Sequence, residues 1–290
     1  MCTASAVNNK LKYFVVVLLT VLLTAGTAAA RKTANGKAAV KAPDKDVFTV
    51  VIDPGHGGRD AGCVGKISRE KDINLAVAKA LQKLITDNCT DVKVVMTRST
   101  DRFIPLQRRA DIANDAKGDL FISIHVNSVA TKSPGRDKVS GASVYTVGTS
   151  KEQSTLNVAM RENAVIELED DYSQKYSGFD PQQAESYIIF ELTNDMHRRQ
   201  SLKFAQAACR ELTTTAQRDD KGVRQDGFWV LWAAAMPAVL VELDFICNPA
   251  CEKFLASADG QQKCAQALFN AFRDYRDHNA KAKAAATKAK

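Results

Sequence analysis

Beyond its first thirty residues the 290-residue chain has no long apolar run. A helix needs roughly 20 such residues to cross a bilayer, so no membrane span is expected past that point. No stripe of interleaved aromatic and basic side chains occurs, and no nucleic-acid module is recognisable, despite a formal charge of +7. Nucleic acid is therefore not expected as a partner. There is no internal repeat. Cys247 and Cys251 lie four apart, but no second close pair accompanies them, so a structural zinc knot has little support. Histidine is scarce, with four in the chain, which makes the position of each one informative.

What is present reads as one folded domain with additions at both ends. Hydrophobic residues make up 45% and charged residues 25%, ordinary values for a globular protein. Lys10 and Lys12 precede an apolar run from Tyr13 to Leu23, and Ala28, Ala29 and Ala30 offer a small-residue cleavage site. Residues 1–30 thus read as an export signal. The basic stretch 31–46 reads as a linker, and 279–290 as a basic Ala/Lys tail. Both would favour anionic surfaces such as cell-wall polymers. Export places the later cysteines, Cys63, Cys89, Cys209, Cys247, Cys251 and Cys264, where disulfides are permitted. Fifteen connectivities are open to them. Cys209 and Cys264 also fall on apolar helix faces, which suits buried free thiols.

Short apolar strands are predicted at Thr49–Asp53, Val92–Thr97, Asp119–His125, Ala142–Val147 and Ala238–Phe245. Helices are predicted at Asp72–Asp87, Leu106–Ala113, from Pro181 past Leu192, at Ser201–Leu212 and at Gln261–Tyr275. Strands alternating with helices predict an α/β fold: a twisted, mostly parallel sheet flanked by helices on both faces, with a helical insertion. The stretch from Lys151 to Gln200 breaks the rhythm and carries Glu167, Glu169, Asp170 and Asp171.

Two histidines sit at or near strand ends, where open α/β sheets bind ligands. His56 lies in Asp53-Pro54-Gly55-His56-Gly57-Gly58, whose glycines let the backbone turn sharply. His125 closes Phe121-Ile122-Ser123-Ile124-His125. Glu70 precedes the strongest helix, where it either caps that helix or faces a site. Two histidines and a carboxylate make a sound catalytic zinc set with one position left for water. Glu242 lies inside Val239-Leu240-Val241-Glu242-Leu243. A carboxylate there must be paired or face a site.

These segments resemble the zinc-dependent N-acetylmuramoyl-L-alanine amidases, the bacterial cell-wall and septal amidases. The likeness is carried by Val51–Gly58, Arg69–Leu75, Met96–Arg98, Leu106–Ala113, Ser123–Asn127, Pro237–Glu242 and Asn248–Pro249, in order from about Val47 to Tyr275. The resemblance implies a catalytic domain over 47–278, with His56, Glu70 and His125 as Zn2+ ligands and Glu242 as the catalytic residue. It implies cleavage of the amide between the lactyl group of N-acetylmuramic acid and L-alanine of the peptidoglycan stem peptide, in cell-wall remodelling or daughter-cell separation. It also implies residence in the periplasm or cell envelope. A wall-binding protein on an inactive amidase fold and a different exported zinc hydrolase are the alternatives.

Some septal amidases carry an inserted helical element over the zinc cleft, and by resemblance 151–200 is expected to do the same until a protein activator acts on it. Glu167, Glu169, Glu185 and Glu191 are the candidate carboxylates for the open zinc position. Asp53 or Asn127 is expected to orient a ligand. Arg98 is expected to steady an anionic group of the peptide or to form a surface salt bridge. Asp244 stands where the family usually has glycine, and is expected either to pair with a base or to tune Glu242.

Overall fold

The computed structural model describes residues 47–148, 152–170, 172–190 and 197–288, with side chains to residue 279. The expected signal 1–30, the linker 31–46 and Glu191 lie outside the described residues. In chain order the elements begin with β1 (Phe48–Pro54), α1 (Glu70–Asn88), β2 (Val92–Met96), α2 (Leu106–Asp115), β3 (Leu120–Asn127) and β4 (Ala142–Val147). There follow α3 (Gln153–Asn163), a 3-10 turn (Ala164–Leu168), α4 (Tyr172–Lys175), a second 3-10 segment (Ala184–Phe190) and α5 (Arg198–Thr214). The chain closes with β5 (Asp220–Asp226), α6 (Trp229–Trp232), β6 (Ala238–Phe245), α7 (Pro249–Ala256) and α8 (Ala258–Lys288).

One six-stranded sheet has the order β2-β1-β3-β6-β4-β5. All neighbours run parallel except β4 against β6, so the expected mostly parallel α/β sheet is present. Strand alternation sends successive side chains to opposite faces. One face buries Val50, Ile52, Ile122, Ile124, Val239 and Val241 against α1, α5 and α8. The other face carries Val51, Phe121 and Leu240, and with them the polar residues at even spacing further on: Asp53, Ser123, His125 and Glu242. The insertion covers this second face, with Tyr176, Phe179, Tyr187 and Phe190 packed around Trp229.

Several boundaries differ from expectation. Helix α1 begins at Glu70, which therefore sits in its first turn. The helix expected from Pro181 is a 3-10 segment starting at Ala184. Helix α8 continues to Lys288, so the Ala/Lys tail extends it. No helix among the described residues is long and apolar enough to cross a membrane. All six described cysteines are free thiols, so no disulfide forms among them.

Two buried arginines tie the sheet to the loop that follows β1. Arg98 donates to the carbonyls of Pro54, Gly55 and Lys71, so it forms neither a surface salt bridge nor an open anion site. Arg109 donates to Asp53 Oδ1 at 2.8 Å and to the carbonyls of Pro54 and His56. Burial alone would raise the Asp53 carboxyl. Arg109 and the hydroxyls of Thr97 and Ser123 outweigh it and hold the group below its ordinary value. Asp53→Asn leaves Arg109 buried without its anion and is expected to cost about 3–5 kcal/mol. Because the folded pKa is depressed, the wild-type advantage is full above the ordinary aspartate value of 3.8 and fades as pH falls through the lower folded value. Urea unfolding of both proteins at neutral and acidic pH measures the cost and its narrowing.

Candidate metal centre

His56 leaves β1 with φ 61, a left-handed backbone that a residue with a Cβ rarely takes. The cost, about 1–3 kcal/mol, is sustained only where surrounding contacts fix the chain. Here Arg109 holds the His56 carbonyl, and Asp60 Oδ2 meets His56 Nδ1 at 2.8 Å. That leaves Nε2 facing inward. His125 is set by β3, and its imidazole passes directly over Gly55. A Cβ on Gly55 would collide with that ring, so the residue there has to be glycine. The Glu70 carboxylate is aimed by backbone N–H groups, with Cys63 N donating to Oε2 at 2.7 Å and Val126 N to Oε1 at 2.9 Å.

The three side chains meet in one buried cluster. Glu70 Oε1 lies 3.1 Å from both His56 Nε2 and His125 Nδ1. A fourth residue joins them: Glu162 Oε2 lies 3.0 Å from His56 Nε2 and 2.9 Å from His125 Nδ1. Ligand atoms from all four residues fall within 4.8 Å of one another. His56 Nε2 and Glu162 Oε2 are nevertheless buried without an aligned hydrogen bond. Within the cluster only His125 Nδ1 and Glu70 Oε1 are aligned for a hydrogen bond, and two further polar atoms crowded this closely without alignment fit a shared cation. The electrostatics agree. Burial would lower both imidazoles, yet Glu70, Asp60 and Glu162 carry His56 well above its usual value, and Glu162 and Glu70 bring His125 to about 9. Burial would raise Glu70, but the two histidines hold it well below the usual carboxylate range. A site that draws positive charge so strongly is suited to a divalent ion.

Glu242 lies beside this cluster, in register with His125 across β3 and β6. Its Oε2 has no hydrogen-bond partner among the described residues, and its Oε1 meets Arg161 Nη2 at 3.4 Å. Burial, then the charge of Glu162, brings Glu242 up to about 8. Arg161 also donates to Ser128 O, Asn127 Oδ1 and Glu162 Oε1. Adjacent residues of α3 thus engage the candidate ligands and the candidate catalytic carboxylate together.

Of the expected blocking carboxylates, the three described ones, Glu167, Glu169 and Glu185, do not reach the centre. Glu169 instead accepts from Tyr176 Oη at 2.7 Å and from Leu106 N, because its turn anchors the insertion to α2. Glu185 stands on the exposed part of the second 3-10 segment, and Glu167 is exposed too. Glu162 takes the position instead. Its sequence signal is a carboxylate in the buried stripe Thr155, Val158, Ala159, Glu162 and Asn163 at helical spacing. Among the described residues no hydrogen bond joins Asp53 or Asn127 to a candidate ligand side chain: Asp53 accepts from Arg109, and Asn127 accepts from Arg161. Asp60, not singled out from sequence, orients His56. Asp244 pairs with Arg218 at 2.9 Å and accepts from Gly141 N and Phe245 N, which satisfies the pairing expectation.

Comparison with known proteins agrees with this geometry. The sequence profile of the N-acetylmuramoyl-L-alanine amidase family matches residues 50–274. The N-acetylmuramoyl-L-alanine amidase AmiC of Escherichia coli is 35% identical over 234 residues, covering 79% of this chain and 52% of that protein. The chain thus spans about half the length of that relative. AmiA of Escherichia coli is 32% identical, covering 82% of this chain and 79% of AmiA. Among solved structures, an N-acetylmuramoyl-L-alanine amidase from Clostridium difficile superposes with TM-score 0.59 at 26% identity, covering 80% of this chain and 98% of that one. AmiC2 of Nostoc punctiforme superposes with TM-score 0.57 at 25% identity, covering 79% of this chain and 97% of its own. This chain belongs to the N-acetylmuramoyl-L-alanine amidase family.

Proposed function

We propose that the chain hydrolyses the amide between the lactyl group of N-acetylmuramic acid and L-alanine of the peptidoglycan stem peptide. His56, Glu70 and His125 hold zinc in this reading, and Glu242 moves the proton. The observation that carries it is the convergence of those three ligand atoms in one buried cluster, in a chain of this family. Two imidazoles and one carboxylate suit zinc and leave a position open. Zinc held by these residues would lower the pKa of a bound water and polarise the scissile carbonyl. Glu242 accepts the proton of the attacking water and delivers it to the departing L-alanine nitrogen. Asp60 keeps His56 in the tautomer that presents Nε2.

In the described form the position that water needs faces Glu162, and Glu242 is paired with Arg161. This supports reading it as a closed state, opened when a protein activator draws residues 151–200 away. The export signal expected over residues 1–30 fits a location in the periplasm or cell envelope, where the substrate lies.

Purified peptidoglycan incubated with the zinc-loaded Glu162→Ala protein is expected to release peptides beginning with L-alanine, identified by mass. Chelation is expected to stop the release, and added zinc to restore it. Loss of acetyl groups or cleavage inside the peptide would point to another hydrolase. Release that persists under chelation would remove the metal from the mechanism.

A further inference from the structure

Beside the metal centre the fold forms a cavity of about 900 Å³. Among the described residues its wall contains Arg136, Arg161, Lys221 and Arg224, and no aspartate or glutamate. Two residues connect it to the centre. Asn127 accepts from Arg161, and Ser143 is the register partner of Glu242. Arg161 belongs to α3. The other three cations belong to the scaffold beneath, Arg136 on the loop between β3 and β4 and Lys221 and Arg224 on the edge strand β5.

These three charges are lightly committed. The Lys221 ammonium is exposed and makes no hydrogen bond or ion pair among the described residues. Arg136 donates through Nε to Val129 O at 3.1 Å. Arg224 pairs at 3.1 Å with Glu152, which is the N-cap of α3. The nearby carboxylates face elsewhere, Asp219 to Ser140 Oγ and Asp220 to Gly222 N. Departure of α3 would therefore take away the carboxylates now facing Arg224 and the metal centre together.

The chemistry of the substrate says which part fits such a wall. The lactyl carboxyl is consumed in the scissile amide, so the sugar side brings no charge at that point. The peptide side keeps free carboxylates beyond L-alanine. We infer that Arg136, Lys221 and Arg224 form a subsite for a stem-peptide carboxylate, orienting the leaving peptide along β4 and β5. The inference rests on the amidase reading. In the closed form Glu152 occupies on Arg224 the place a substrate carboxylate takes in the open one.

The test compares a muramoyl peptide carrying free carboxylates with the same compound carrying carboxamides, in the full-length Glu162→Ala protein. The free acid is expected to show a KM roughly tenfold or more lower at similar kcat, the scale of one charge-assisted contact. Lys221→Gln combined with Arg224→Gln is expected to erase that preference by raising KM for the free acid alone. Lys221→Glu, at an exposed position without a partner, is expected to do the same in part and keeps the test sound if the double variant folds poorly. Calorimetric binding of the free stem peptide and its amide to metal-free protein gives a readout independent of turnover. Equal KM for both substrates with equal binding of both peptides overturns the subsite and leaves the amidase reading intact. Absence of cleavage with preferential binding of the free acid overturns the amidase reading and leaves the carboxylate subsite.

Discussion

Glu162→Ala is expected to raise the rate of stem-peptide release roughly ten- to hundredfold at equal protein and saturating zinc. A charge-assisted contact contributes ~1.5–3 kcal/mol, and each 1.4 kcal/mol of preference for the closed state is a factor of ten in its population. The carboxylate lies 2.9–3.0 Å from both imidazole nitrogens, so alanine removes the insertion's hold on the two rings and leaves only Arg161 on Glu242. The rest of the insertion stays anchored. Asn163 still receives Trp229 N and donates to Gly227 O, and Glu169 still holds Tyr176. Zinc affinity should move the other way, because a donor is lost. Faster turnover with weaker metal retention in one variant is a combination that a purely structural Glu162 would not give. Arg161→Gln should produce a smaller rise, since it frees Glu242 and leaves the Glu162 carboxylate in place. Titrating zinc while following peptide release measures both quantities. An unchanged or lower rate in folded, zinc-saturated Glu162→Ala would end the closed-state reading.

The contrast between Glu162 and Glu70 shows where sequence patterning reaches and where it stops. Glu70 is legible because it stands at the start of a helix with a clean apolar face, close after a glycine-rich turn that carries a histidine. His125 and Glu242 are legible because each interrupts a continuous apolar strand, where a polar group must be compensated. Helix α3 offers no such background. Its buried stripe includes Thr155, Glu162 and Asn163, so the helical period is masked by inward polar residues. The acidic run after it points to Glu167 and Glu169, whose positions depend on a 3-10 turn and a tyrosine contact that periodicity does not encode. Strand β5 is hidden for a related reason. It is an edge strand written Asp-Lys-Gly-Val-Arg-Gln-Asp, polar because one side has no neighbouring strand to bury it. Arg98 and Arg109 are the opposite case. Arginine reads as surface, yet both are buried because carbonyls of the His56 loop accept their donors.

Glu242→Gln, made in the Glu162→Ala background, is expected to lose roughly 10²–10⁴-fold in kcat while keeping its zinc. The background matters. In the closed form Glu242 Oε1 accepts from Arg161, and an amide turned with its NH₂ toward the guanidinium would weaken that contact and loosen α3. Measured in the parent chain, the loss of proton transfer would therefore be partly masked by release of the block. With Glu162 already removed, the amide changes one function. Glutamine keeps the shape of a side chain that is fully buried, so packing around β6 should hold. It can neither accept the proton of the attacking water nor return one to the leaving nitrogen, so kcat should fall with little change in KM. His56→Ala in the same background should lose turnover and metal together, because the ring supplies one of the clustered donor atoms. Metal analysis beside steady-state kinetics separates the two cases. Turnover in Glu242→Gln within a fewfold of the Glu162→Ala protein would assign the proton to another group.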